Sequence, residues 1–193
     1  MNIVLLHSAL GLTRDVLNWA DVLRDDDHVV VTPDMFGGDV YADMDAAMAR
    51  VDGDGGSGAY LEPALAGAAS IVGPRVYAGF SLGASVAQIL ALTQPDAAGM
   101  VLMHSAISPS WIEVDHWPDG LRGQVHYAEG DPWVEQEELS DLMALAGDAL
   151  QQFTYDGDGH LFAFESWHEY DADAAERMFE RVTDFLADLD NGE

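Results

Sequence analysis

The chain of 193 residues contains no cysteine and no lysine, and both absences narrow what it can be. Without cysteine there are no disulfides, no thiolate zinc sites and no cysteine nucleophile. The basic side chains are seven arginines, set against 35 aspartates and glutamates, for a formal net charge of −28. A surface this acidic repels phosphates, so nucleic-acid binding is not expected. No apolar run approaches the roughly 18 residues that a membrane span requires. The apolar start, Met1 to Leu6, has no basic segment before it and is interrupted by His7, which makes a poor secretory signal. The expectation is a cytoplasmic chain that stays off membranes, as a monomer or homodimer.

Hydrophobic residues make up 49% of the chain and the acids are spread along it. One domain spanning 1–193, with one core, is therefore expected. Like charges at this density oppose compaction, and salt screens them. A lysine-free acidic chain of this kind suits a salty cytosol. A phosphate-mimicking decoy would gather its acids on one face, and no such clustering is visible.

Short apolar runs alternate with helical patterns throughout. Strands are expected at 2–7, 28–32, 76–80, 100–104, 124–128 and 150–155. Helices are expected after Thr13, which reads as a cap, and at 43–50, 61–72, 82–93, 135–146 and 171–189. Residues 52–58 read as a Gly-rich loop, and 105–120, with Trp111 and Trp117, as a loop where a short lid could sit. Those tryptophans read equally as pocket lining or as ordinary packing. Such alternation predicts an α/β fold: a mostly parallel six-stranded sheet with helices on both faces.

Gly79-Phe80-Ser81-Leu82-Gly83 is a G-x-S-x-G sequence placed where a strand passes into a helix. That is the position of a nucleophile elbow, in which glycines relieve the crowding of a tight turn. The N–H of Leu82 then faces the reacting centre and can receive an oxyanion. A serine needs a base. His160, in the Gly-rich loop Asp156-Gly157-Asp158-Gly159-His160 after the last strand, lies where the base should be. His28 and His126 read as strand residues, and His116 and His168 as loop or helix residues. His7 and His104 end strands at one sheet edge and could line a pocket, but no pair has a convincing metal-ligand spacing. Neither a metal nor a cofactor is expected. The carboxylate between Ser81 and His160 is Asp131 or Glu129, and position favours Asp131.

Five segments carry a family resemblance in order along almost the whole chain. They are Leu5-Leu6-His7-Ser8-Ala9-Leu10-Gly11-Leu12, Pro33-Asp34-Met35-Phe36-Gly37, Gly79 to Gly83, Glu129-Gly130-Asp131 and Asp158-Gly159-His160-Leu161-Phe162. Together they resemble the dienelactone hydrolases of the α/β-hydrolase superfamily. The resemblance implies a Ser81–His160–Asp131 triad and an oxyanion hole made by the N–H groups of Ala9 and Leu82. The chain departs from that family at three points. Ser81 replaces the usual cysteine, Ser8 stands where a glutamate precedes the oxyanion loop, and Phe164 stands where an arginine would hold a substrate carboxylate. The implied substrate is a small, neutral ester or lactone, with Ser8, Trp133 and Phe164 added to the candidate pocket residues. The rival expectation is a hydrolase-like binding protein without catalysis.

Overall fold

The structure is a computed structural model and describes residues 1–26 and 28–192. Asp27 and Glu193, which the single-domain expectation includes, lie outside the described residues. Six strands form one sheet: β1 (Asn2–Leu6), β2 (Val29–Val31), β3 (Arg75–Phe80), β4 (Ala97–Met103), β5 (Arg122–Ala128) and β6 (Leu150–Tyr155). Their order is β2-β1-β3-β4-β5-β6, and every pairing is parallel. Strands in such a sheet are covered on both faces, which explains unbroken apolar runs such as Ile3 to Leu6 and Met100 to Met103, all buried. The edges differ: β2 has three residues, and β6 exposes Gln151, Gln152 and Thr154. A short edge and a polar one both discourage pairing with a second sheet.

The helices are α1 (Arg14–Asp25), α2 (Met44–Asp54), α3 (Leu61–Gly67), α4 (Leu82–Thr93), α5 (Gln136–Ala146) and α6 (Ala172–Asn191). From β1 the chain steps one way to β2, then crosses back and adds β3 to β6 on the other side. Right-handed crossovers therefore put α1 on one face and α2 to α5 on the other. The last helix, α6, returns to the first face, where Phe179 meets Trp19 of α1 at 5.2 Å between ring centroids. Residues 82–92 of α4 are buried without interruption, and its polar members Ser85 and Gln88 are matched by Ser105 and the Ile107 backbone.

Boundaries shift where local chemistry overrides the periodicity. Instead of ending at 50, α2 runs through Gly53 to Asp54 and stops at Gly55, whose φ of 98° closes the helix on Val51 and Asp52 carbonyls. α3 stops at Gly67, well short of 72, and β4 starts at Ala97, three residues before the expected 100. Thr13 occupies the N-cap of α1, but its side chain makes no cap bond. Residues 105–120 are tied down at both ends. Gln88 of α4 grips the backbone of Ile107, donating to its carbonyl (2.6 Å) and accepting from its N–H (2.9 Å). At the other end the Trp117 indole N–H donates to the Leu121 carbonyl (2.7 Å).

Candidate active site

Reversal of strand order between β1 and β3 opens a crevice at the C-terminal ends of these strands, where open α/β sheets place their sites. Ser81 sits there, between β3 and α4, with φ 53° and ψ −115°. A non-glycine residue in that region is strained and is held only by its surroundings. Two glycines permit it. A Cβ at Gly79 would lie 2.2 Å from the Gly83 carbonyl oxygen, and one at Gly83 would lie 2.3 Å from that of Leu6. The Ser81 N–H donates to the Met103 carbonyl of β4 (2.7 Å), which fixes the turn to the sheet.

His160 reaches this serine from the segment after β6. Its Nε2 lies 2.7 Å from Ser81 Oγ, and its Nδ1 lies 2.8 and 3.1 Å from the two carboxylate oxygens of Asp131. A carboxylate accepts only, so the proton sits on Nδ1 and Nε2 is left to accept from the serine hydroxyl. Asp131 is buried and oriented by the Trp133 N–H (2.9 Å), while Glu129, two residues earlier, is exposed. The loops carrying the acid and the histidine are joined through backbone bonds from Glu129 N–H to the Tyr155 carbonyl and from Gly130 N–H to the Gly157 carbonyl, both 2.8 Å. Glu169 holds the other side, accepting the His160 backbone N–H (3.1 Å) and the Trp167 indole N–H (2.9 Å). No motif marks Glu169. Among so many acids nothing in the sequence singles it out, and only the fold of 160–170 brings it back.

The turn after β1 is built around His7. Its Nε2 accepts the Met35 N–H (2.9 Å), so its proton is on Nδ1 and is donated to the Ser8 carbonyl (2.8 Å). Burial lowers the His7 pKa, against weaker upward pulls from the Ser8 carbonyl and Asp34, and the ring stays neutral. Ser8 Oγ accepts the Leu10 N–H (3.2 Å). Among the described residues, the N–H groups of Ala9 and Leu82 have no acceptor. The close approach of Gly83 to the carbonyls of Leu6 and His7 brings the two turns side by side. Unsatisfied backbone donors of this kind can bind a developing oxyanion.

The candidate pocket residues separate into three groups. His7, Ser8, His104 and Phe164 are fully buried and support the site from beneath. Phe164 stacks edge-on against Phe80 at 4.9 Å, so the position where the resemblance calls for an arginine is filled by core packing. Trp111 points outward, 74% exposed. Trp133 alone is both partly exposed and beside the site, its ring 5.8 Å from that of His160. His104 has a φ of 67°, and among the described residues neither of its ring nitrogens has a hydrogen-bond partner. Its ring lies against Phe162 at 4.6 Å and His160 at 6.0 Å. Burial first, and then the nearby His160 and His126, push its pKa well down.

No group of three or more His, Asp or Glu among the described residues is arranged to hold a metal, and no described helix is long and apolar enough to cross a membrane. Solved structures share the architecture. A dienelactone hydrolase-like promiscuous phosphotriesterase from metagenomic libraries superposes with a TM-score of 0.81 at 19% identity, over 97% of this chain and 86% of that one. The esterase PE8 gives 0.66 at 19% identity over 95% and 91% of the two chains. Alpha/beta hydrolase domain-containing protein 10 from mouse gives 0.68 at 11% identity over 97% and 90%. These likenesses show a common α/β-hydrolase fold. No curated protein matches the chain. The sequence pattern of the dienelactone hydrolase family matches residues 1–189, and the chain belongs to that family.

Proposed function

We propose that this protein hydrolyses a small, uncharged carboxylic ester or lactone through an acyl-enzyme on Ser81. One observation carries the reading: His160 bridges Ser81 Oγ at 2.7 Å and the Asp131 carboxylate at 2.8 Å. In the first step Ser81 Oγ attacks the carbonyl carbon and its proton passes to His160 Nε2. Negative charge gathers on the carbonyl oxygen, which the N–H groups of Ala9 and Leu82 receive. Asp131 stays ionised and steadies the imidazolium through Nδ1–H. As the tetrahedral species collapses, the C–O bond breaks and the leaving alkoxide takes the Nε2 proton. With a lactone, that alkoxide stays tethered to the acyl chain. Water, deprotonated by Nε2, then attacks the acyl-serine, and the same collapse releases the carboxylic acid and restores Ser81.

A neutral substrate follows from charge and packing. The net charge of −28 repels an anionic ester, and the Phe164 ring, packed against Phe80, offers it no counter-charge. Trp133 supplies apolar surface beside His160. The test is Ser81→Ala, measured with p-nitrophenyl acetate and with a fluorophosphonate probe. Turnover should fall on the order of 10⁴- to 10⁶-fold and labelling should vanish. A variant that keeps near-full activity would exclude Ser81 as the nucleophile. A wild-type protein that neither turns over nor labels would favour the binding-protein reading.

A further inference from the structure

A second site lies on the opposite side of the His160 segment, in the groove between α1 and α6. It encloses about 430 Å³, within the range of small-molecule sites. Trp19 and Phe179 form its aromatic wall, with Tyr170, 42% exposed, at its mouth. Three carboxylates, Asp15, Glu165 and Glu176, also line it, and none of its lining residues is basic. Asp15 is the unusual member. It is only 5% exposed and forms no ion pair among the described residues. Its oxygens accept from the Ser166 N–H (3.0 Å) and hydroxyl, and its place in the first turn of α1 offsets part of its charge. These bonds satisfy Asp15 in place, and its charge still adds to that of the exposed Glu165 and Glu176 along the groove. Here the aromatic faces and the acids offer one cation two kinds of attraction, since ring faces attract positive charge as well.

We propose that this groove binds a small organic cation with an apolar body, such as an arylalkyl or alkyl trimethylammonium ion. An anion would meet three carboxylates. A neutral apolar molecule would use the rings and leave the carboxylates of Glu165 and Glu176 without a partner in the groove. A bulky, weakly hydrated cation satisfies both the rings and the acids. The inner wall is the backbone that follows His160: the Trp19 indole N–H donates to the Ala163 carbonyl at 3.3 Å. Binding is read without turnover, so the outcome is independent of the hydrolase reading.

The test uses benzyltrimethylammonium chloride, with benzyl alcohol as its uncharged counterpart, titrated into ¹⁵N-labelled protein in 0.15 M and 1 M KCl. A saturable shift of the Trp19 indole N–H is expected, persisting at 1 M, with the alcohol at least fivefold weaker. The double variant Glu165→Gln/Glu176→Gln, changed only at exposed carboxylates, should weaken binding at least threefold at 0.15 M. Equal binding of the alcohol would overturn the proposal, as would a non-saturable drift of all indole signals together, the mark of diffuse attraction to an acidic surface. A dimer in sedimentation that Val22→Arg dissociates would assign the groove to a second copy of the chain and overturn it too.

Discussion

Asp131 and Glu129 stand two residues apart on one turn and put the same functional group to different use. Asp131 is buried, takes the Trp133 N–H and lies 2.8 Å from His160 Nδ1. Glu129 faces water with most of the other acids. The contrast extends to the whole molecule. At the sheet's C-terminal edge the polar groups of the site are held by named partners: Ser81 by the Met103 carbonyl, His7 by the Met35 N–H, and the His160 backbone by the Glu169 carboxylate. On the surface, charge accumulates without geometry, about one net negative charge per 310 Å² of an exposed area of 8783 Å². The acid at the site acts through defined partners, whereas most surface acids act chiefly through their sum.

The largest effect should separate the two carboxylates directly. Asp131→Asn leaves the shape but removes the acceptor that fixes the proton on Nδ1, and turnover of p-nitrophenyl acetate should drop on the order of 10⁴-fold. Glu129→Gln should change it less than about twofold, since an exposed charge is screened. If the Glu129 variant were the crippled one, the acid would have to be reassigned; equal small losses would mean that His160 needs no carboxylate.

The surface should respond to salt, and the site should not. The screening length falls from about 8 Å at 0.15 M to about 3 Å at 1 M. The folded state, which crowds like charges more than the open chain does, then gains relative to it. Thermal melts in KCl from 0.15 to 3 M should show a rise on the order of 10 °C, about 3 kcal/mol for a chain of this size. A flat series would show that the acidic surface is tolerated in dilute buffer and remove the argument for a salty cytosol.

Strand-helix alternation and the glycine-flanked serine were legible in the sequence because each rests on local chemistry: apolar runs, turn residues, a crowded elbow. Position along the chain was enough to favour Asp131 over Glu129. What stayed hidden depends on chain reversal. Glu169 folds back over the His160 backbone, and Ser166 ends against Asp15, 151 positions away. Phe164, a candidate pocket residue by resemblance, is buried with its ring edge-on against Phe80, which in turn meets Trp19. The limits of α2 were missed because Gly53 reads as loop, yet it is Gly55, with its positive φ, that ends the helix.

The smallest effect concerns a buried polar group with no part in the proposed chemistry. His126 is fully buried, its Nε2 3.0 Å from Gln124 Oε1 and its Nδ1 2.9 Å from the Tyr155 hydroxyl. The amide oxygen only accepts, so the proton is on Nε2 and the tyrosine donates to Nδ1. Burial, and then the positive charge of Arg181, bring the His126 pKa down to about 3. The unfolded chain has an ordinary histidine with a pKa of about 6.5. Above pH 6.5 both states are neutral there and the group has no effect. Below it the unfolded chain takes up a proton that the fold refuses, so stability falls with pH from about 6.5 down to about 3. Between pH 6 and 5 that loss is about 1.2 kcal/mol. The wild type and a His126→Asn variant carry the same surface carboxylates, so comparing their slopes cancels the contribution of surface repulsion. Urea melts at pH 6.0 and 5.0 should show the loss in the wild type and a slope shallower by about 1.2 kcal/mol per pH unit in His126→Asn, whatever its absolute stability. Equal slopes would mean that the ring takes up its proton in the folded state, and a ¹⁵N titration of the imidazole would then show His126 charging near 6.5 like an exposed histidine.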